Sequence, residues 1–226
     1  LLKKIINSSF DNEYFPKSRN IRQLVFYLKY FVLIREFLKE SLNDIPDYLN
    51  EIIYYVGKAY NFSWGSIKES LLFNGNHNSD LSDFDKYLNL YKYKFTNEKF
   101  KLGGYSILKN KNIIIAMDSG STPDKNYSED YQSGPLSFEA IYKSNKIICN
   151  SGYFQNQNHK LNNISRSSVA HSTLILGNKS VSTFKKKNKK TILENGFKSI
   201  DNNIIFEKNF WSIKGSHNGY QKEFGT

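Results

Sequence analysis

The sequence predicts an α+β chain in which a helical segment, 1–98, precedes an antiparallel β segment of the sandwich type, 99–226. Two observations carry this reading. Up to about residue 95 the apolar residues recur at helical spacing, and from Gly103 they fall into short runs separated by Gly, Asn, Ser and Asp. In addition, no repeat at a solenoid period crosses the division. At 226 residues the chain is long enough to bury a core in each half.

In the helical half, "IRQLVFYLKYFVLIREFL" (21–38) sets Ile21, Leu24, Val25, Leu28, Phe31, Val32 and Leu38 on one face, with Lys29 and Glu36 off it. Ser18 or Asn20 is placed to cap this helix. A second helix opens at Pro46 and carries Leu49, Ile52, Ile53, Val56 and Tyr60 at helical spacing. The short link between the two implies an antiparallel helical hairpin. A weaker, tyrosine-rich helix is expected over 83–95. In the second half, strands are expected in "GYSILKN", "NIIIAMDSG", "LSFEAIYKSN", "KIICNSG", "STLILGN", "TILENG", "NIIFEKN" and "FWSIKGSH". Spacing this tight favours antiparallel pairing.

The formal charge is +11, a surplus that attracts polyanions such as nucleic acid, anionic lipid or acidic polysaccharide. The densest cluster, "KKKNKK" (185–190), reads as a solvated hairpin loop. No recognition-helix, zinc-finger or RNP pattern accompanies it, so no nucleic-acid partner is expected. No apolar run approaches the length of a membrane span. The one cysteine, Cys149, cannot form an internal disulfide and is expected as a small buried apolar residue. The chain begins at Leu1 without methionine and is read as part of a longer product, so a signal peptide would lie upstream.

The four histidines are His77, His159, His171 and His217, and none belongs to a local metal-binding pair. His77 and His159 lie in polar loops and read as exposed and idle. His171, in "SRSSVAHSTLILGN", sits where a loop meets an expected strand, close to Arg166 and three serines. It is either a strand-edge filler or a proton-transfer group, for which Arg166 supplies fixed charge and the hydroxyls supply orientation. His217, in "GSHNGY", is either part of a decorated turn or part of a site. "DNEYFPKSRN" gathers Tyr14, Lys17, Ser18, Arg19 and Asn20 at a helix N-terminus, an end that attracts anions or simply needs capping.

Read in order, these stretches resemble the heparinase II/III-like family of polysaccharide lyases, a family related to alginate lyases. "DNEYFPKSRNIRQLVFYLKYFVLIREFL" is similar to the family's segment at a late helix of its helical domain, and "SLLFNGN" to the phrase that closes it. "GGYSILKNKNIIIAMDSG" and "GPLSFEAIYKSNKIICNSG" resemble the first strands of the β domain. "SRSSVAHSTLILGNKS" resembles the "RsTaaHnT" phrase, and "SHNGYQKEFG" a later "HdGY" phrase. The resemblance implies the end of an incomplete (α/α) toroid followed by a β-sandwich, this chain being the C-terminal portion.

The resemblance also implies a reaction, β-elimination at a uronic acid in an anionic polysaccharide. A base removes the C5 proton, the uronate charge is neutralised, and an acid protonates the leaving oxygen at C4. His171 and Tyr14 are then the catalytic candidates, with Tyr27 a rival phenol, and an Asn or His pair of the toroid is expected upstream of Leu1. Arg166, Arg19, Asn20 and His217 are the candidate substrate contacts. Some relatives hold a structural zinc with two histidines and an aspartate. His171 and His217 would be the histidines here, but the sequence after Ser180 offers no evident carboxylate. The family further implies a bacterial periplasmic or cell-envelope location. A non-catalytic glycan-binding protein that keeps the fold is the alternative.

Overall fold

A computed structural model of the chain describes residues 1–65, 67–187 and 190–225. The first half contains α1 (Leu2–Ser9), α2 (Ile21–Glu40), α3 (Asp47–Tyr60) and α4 (Ser82–Leu90). Asn20 caps α2, its side chain accepting from the Gln23 amide at 3.2 Å. The predicted apolar face of α2 is the buried one, and Leu38 packs at its margin. Glu36 departs from the expectation. It is buried because the Tyr93 hydroxyl and the Arg35 guanidinium both donate to its carboxylate, at 2.6 and 2.7 Å. Arg35 also donates to Asn50 at 2.7 Å, setting the end of α2 beside the start of α3 as a hairpin requires.

Pro46 stands one residue before α3, and the helix runs on into a π-helical turn at Asn61–Gly65. The helix expected over 83–95 stops at Leu90, because Lys92 turns the backbone to φ +62° and sends Tyr93 and Phe95 back onto the core.

The second half opens with a five-stranded antiparallel meander. It comprises β1 (Lys101–Leu102), β2 (Tyr105–Lys109), β3 (Ile113–Asp118), β4 (Phe138–Tyr142) and β5 (Asn145–Ile148), paired in that order. Gly103 and Gly104 join β1 to β2 with φ of +58° and +80°, the pair of left-handed residues a tight hairpin needs. Two antiparallel hairpins follow α5 (Lys160–Arg166): β6 (Thr183–Lys187) with β7 (Lys190–Asn195), and β8 (Ser199–Phe206) with β9 (Trp211–His217). A short α6 (Gln221–Phe224) ends the described chain.

Three expectations are corrected. "STLILGN" is not a strand. Gly177 and Asn178 both take positive φ and form a tight turn, while the Ser172 and Thr173 hydroxyls donate to the carbonyls of Phe138, at the start of β4, and Pro135, just before it. The lysine run is strand as far as Lys187 and again at Lys190, while Asn188 and Lys189 lie outside the described residues. Cys149 is exposed, just past the end of β5.

One apolar core joins the two halves, with Leu24, Leu28, Ile52 and Val56 of the helices packed together with Leu102, Tyr105, Ile107 and Ala116 of the sheet. A second, smaller core of Tyr131, Val181, Leu193, Phe197 and Tyr220 sits under the β6–β7 hairpin.

Candidate active site

The halves are joined through polar groups as well as through the core. Arg19 reaches out of the helical half with its guanidinium buried. It donates to the carbonyls of Gly103 (3.2 Å), Gly104 (2.9 Å) and Ser121 (2.9 Å) and pairs with Asp118 at the end of β3. Burial alone would push the guanidinium down, and Asp118 beside it more than reverses this, holding Arg19 above its ordinary value. The other Asp118 oxygen accepts from Asn74 at 2.8 Å, within the "LLFNGN" phrase. Asn20 both caps α2 and donates to Asp130 at 3.1 Å, and Arg22 pairs with the same carboxylate at 3.1 Å. Gly75 makes this meeting possible, since a Cβ there would fall 2.3 Å from Asn20 and 2.7 Å from Asp130. Arg19 and Asn20, expected as substrate contacts, are thus both buried in this junction.

The segment 165–171 forms a second centre. The His171 ring lies against Gly134, where a Cβ would come within 3.0 Å of Cγ. The ring's Nε2 is buried without a hydrogen-bond partner. Burial lowers the imidazole to about 4, the Ser165 backbone opposing this only in part, so His171 is neutral near pH 7.

Arg166 is 1% exposed. Its guanidinium donates to the Glu129 and Ser128 carbonyls and lies 4.2 Å over the Phe184 ring. It forms no ion pair among the described residues. Burial pulls it below its ordinary value, with Tyr153, Asp130 and Glu129 pulling the other way. Six buried side-chain polar atoms of the described residues lack a hydrogen-bond partner: Tyr131 OH, Tyr153 OH, Asn162 Oδ1, Arg166 Nε, His171 Nε2 and Ser182 Oγ. All lie between residues 131 and 182, and none is in the helical half. Such atoms are uncommon in folded proteins, and each calls for a strained, catalytic or ligand-binding explanation.

The remaining candidates lie apart. Tyr14, at φ +59°, donates its hydroxyl to Glu51 at 2.8 Å and stacks on Tyr55 at 4.4 Å. The bond to Glu51 raises its pKa and keeps it a neutral phenol. Tyr27, the rival, lines a small polar pocket with Ser18, Gln23, Glu129 and Asp130. His217 accepts from the Gly219 amide at 2.9 Å through Nδ1 and packs on Phe197, so it anchors the turn that follows β9. The described residues contain no group of three or more His, Cys, Asp or Glu side chains that could hold a metal ion. With His217 Nδ1 already bonded, the donor set present does not fit a zinc site.

His159 caps α5, Nδ1 accepting from Leu161 at 3.2 Å, a role its polar loop did not suggest. His77 lines a groove of about 250 Å³ beside Arg22, Phe26, Lys29 and Trp64, and Gln155 approaches it at 3.3 Å. Burial, with Arg22 close by, lowers its pKa. Asp118, Asp130 and Gln132 had no motif to mark them. Their one signal was position, Asp118 inside "NIIIAMDSG" and Asp130 and Gln132 just before "GPLSFEAIYKSN".

Residues 95–226, more than half of the chain, match the family described as heparinase II/III-like, C-terminal. The chain belongs to the heparinase II/III-like family. Solved structures agree with that membership at the level of fold. A heparan sulfate lyase HepC mutant from Pedobacter heparinus superposes with a TM-score of 0.72 at 16% identity, over 97% of this chain and 37% of that one. A heparinase III gene product with methylated lysines gives 0.65 at 14% identity, over 88% of this chain and 35% of that one. Another heparinase III structure gives 0.63 at 14% identity, over 88% and 39%. The chain therefore spans less than two-fifths of the length of these heparinases. No match to curated protein sequences was found. Within the family's C-terminal region, "SRSSVAHSTLILGN" and "SHNGY" supply His171, Arg166 and His217.

Proposed function

We propose that the chain is part of a polysaccharide lyase that cleaves a uronic-acid-containing anionic polysaccharide by β-elimination, acting in the cell envelope. In this reading the helices are the last of an (α/α) toroid and the sheets belong to a β-sandwich. Membership of the heparinase II/III-like family supports the reaction class. The observation that carries the site is His171, a neutral, half-buried imidazole whose Nε2 is itself buried and has no hydrogen-bond partner. A neutral imidazole nitrogen can take the C5 proton. The electron pair of the C5–H bond becomes the C4=C5 double bond, and the C4–O bond breaks to a leaving oxygen that takes up a proton. Arg166, Arg19 and Asn20 support this chemistry by fixing the loops around His171 and the junction, since their polar atoms are turned inward. Exposed lysines on β6 and β7 supply attraction for the polyanion, although Lys185 and Lys190 are shared with Glu194 and Glu129.

The full-length protein incubated with heparin, heparan sulfate, alginate and hyaluronan is expected to raise the absorbance of the unsaturated uronate on at least one of them. No rise on any uronate polymer removes the lyase reading. His171→Ala is expected to lower kcat by about 10²–10⁴-fold, and a folded variant at full rate removes only the site assignment. The second reading, glycan binding without turnover, is favoured by the inward-facing arginines and by Tyr14 being held on Glu51. Polymer binding with no unsaturated product is its signature.

A further inference from the structure

Glu139, in β4, is a carboxylate with 0% exposure, and Asn150, two residues past β5, is 2% exposed. One carboxylate oxygen of Glu139 accepts from the Leu72 amide at 3.0 Å, the Asn150 amide at 3.1 Å and the Asn150 side chain at 3.3 Å. The other pairs with Lys146 at 3.2 Å, and the same ammonium donates to the Ser70 carbonyl. Glu139 thus ties Asn150 to residues 70–72 of the helical half. Asn150 in turn meets the segment that carries His171. Its Oδ1 accepts from the Ser172 amide at 3.1 Å, and the next amide, that of Ser151, donates to the Ala170 carbonyl at 3.1 Å. These two groups belong to the peptide units on either side of His171. Fixing both planes sets φ and ψ of that residue, −129° and 153°, and with them the direction of its Cα–Cβ bond. The ring then meets Gly134, where a Cβ would come within 3.0 Å of Cγ. A further tie comes from the Phe138 amide, which donates to the Ser172 hydroxyl at 3.1 Å beside Glu139.

We infer that Asn150 is a positioning residue for His171 and that Glu139 is the buried anchor that holds Asn150. An asparagine suits the place because its side chain accepts and donates at once. Oδ1 takes the Ser172 amide while Nδ2 is given to Glu139. An aspartate there would set a second buried carboxylate against the first. The bonds inside the segment, from the His171 amide to Ser168 and from the Thr173 amide to the His171 carbonyl, shape its turn. The bonds from Asn150 and Ser151 fix where that turn stands. Misplacing a reacting group by about 1 Å costs about 10²-fold in rate. The consequence for catalysis rests on the lyase reading above, whereas the anchoring of His171 does not.

The test follows amide hydrogen exchange and turnover in the full-length protein. Asn150→Ala removes the acceptor of the Ser172 amide. It is expected to speed exchange at Ser172 by about tenfold or more while the amides of α2 stay within about twofold. Where turnover is seen, kcat is expected to fall by about ten- to a hundredfold with KM within about twofold. Glu139→Gln keeps the shape of the side chain and ends the ion pair with Lys146. It serves if the alanine variant does not fold, with the same signs expected. Exchange that rises equally in α2 and at Ser172 assigns the two residues to stability alone and overturns the inference. A folded variant whose Ser172 amide stays protected overturns it too, as does faster exchange at Ser172 with kcat unchanged. Faster exchange at Ser172 in a protein whose wild type turns over no polymer leaves the anchoring standing and removes the lyase reading instead.

Discussion

Two buried arginines, Arg19 and Arg166, stand in opposite situations. Arg19 has a carboxylate and three carbonyls, and its carboxylate is in turn held by Asn74. Arg166 has two carbonyls and an aromatic face, no ion pair among the described residues, and an unpartnered Nε. The first arrangement closes the joint between the halves. The second belongs to a region that gathers every unpartnered buried side-chain polar atom of the described residues. Complete satisfaction marks a region built for stability, and its absence marks one built for something else.

The largest effect expected from this contrast is on stability. Arg19→Met strands Asp118 in the interior and is expected to cost about 3–5 kcal/mol in urea unfolding. Arg166→Met strands only carbonyls and is expected to cost about 1–3 kcal/mol. Equal losses for the two would break the comparison.

A pH series sharpens it. The unfolded chain takes a proton on His171 below about 6.5, while the native ring, at about 4, does not. Protons therefore favour the unfolded state, and stability should fall as pH drops from about 6.5 to 4, by up to about 3 kcal/mol. His171→Phe should remove that part of the slope, and a slope unchanged in the variant would show that the ring is not the group responsible.

Gly134→Ala crowds the His171 ring and is expected to cost about 1–3 kcal/mol in thermal unfolding. The smallest effect belongs to Lys186→Ala on the exposed β6 strand, expected within about 0.5 kcal/mol in stability. Its consequence should be confined to polymer affinity at low salt.

The helices were legible because a buried face repeats along the sequence, and the buried residues of α2 include six of the seven named from periodicity. Glu36 escaped because its partner Tyr93 lies beyond a turn that periodicity does not foresee. "STLILGN" has strand composition, yet its fate was decided by Gly177, Asn178 and the side-chain bonds of Ser172 and Thr173. At the site, His171 and Arg166 could be singled out by their shared phrase. Whether an arginine faces a ligand or a carbonyl depends on loops distant in sequence, and nothing near Arg19 announced Asp118. Gln132 was invisible for the same reason, since its three partners, Gly75, Gly152 and Ser165, lie in three separate stretches of the chain.

The point where Asn20, Gly75 and Asp130 converge also bears on time. The α2–α3 hairpin and the β1–β5 meander are built from neighbours in sequence and can form early. The contact between Asn20 and Asp130 closes a loop of 110 residues, and such closure precedes any reward from the contacts it allows. The junction is therefore expected to be the slow step of folding. A chain caught before it would hold formed helices and a formed sheet that have not yet met.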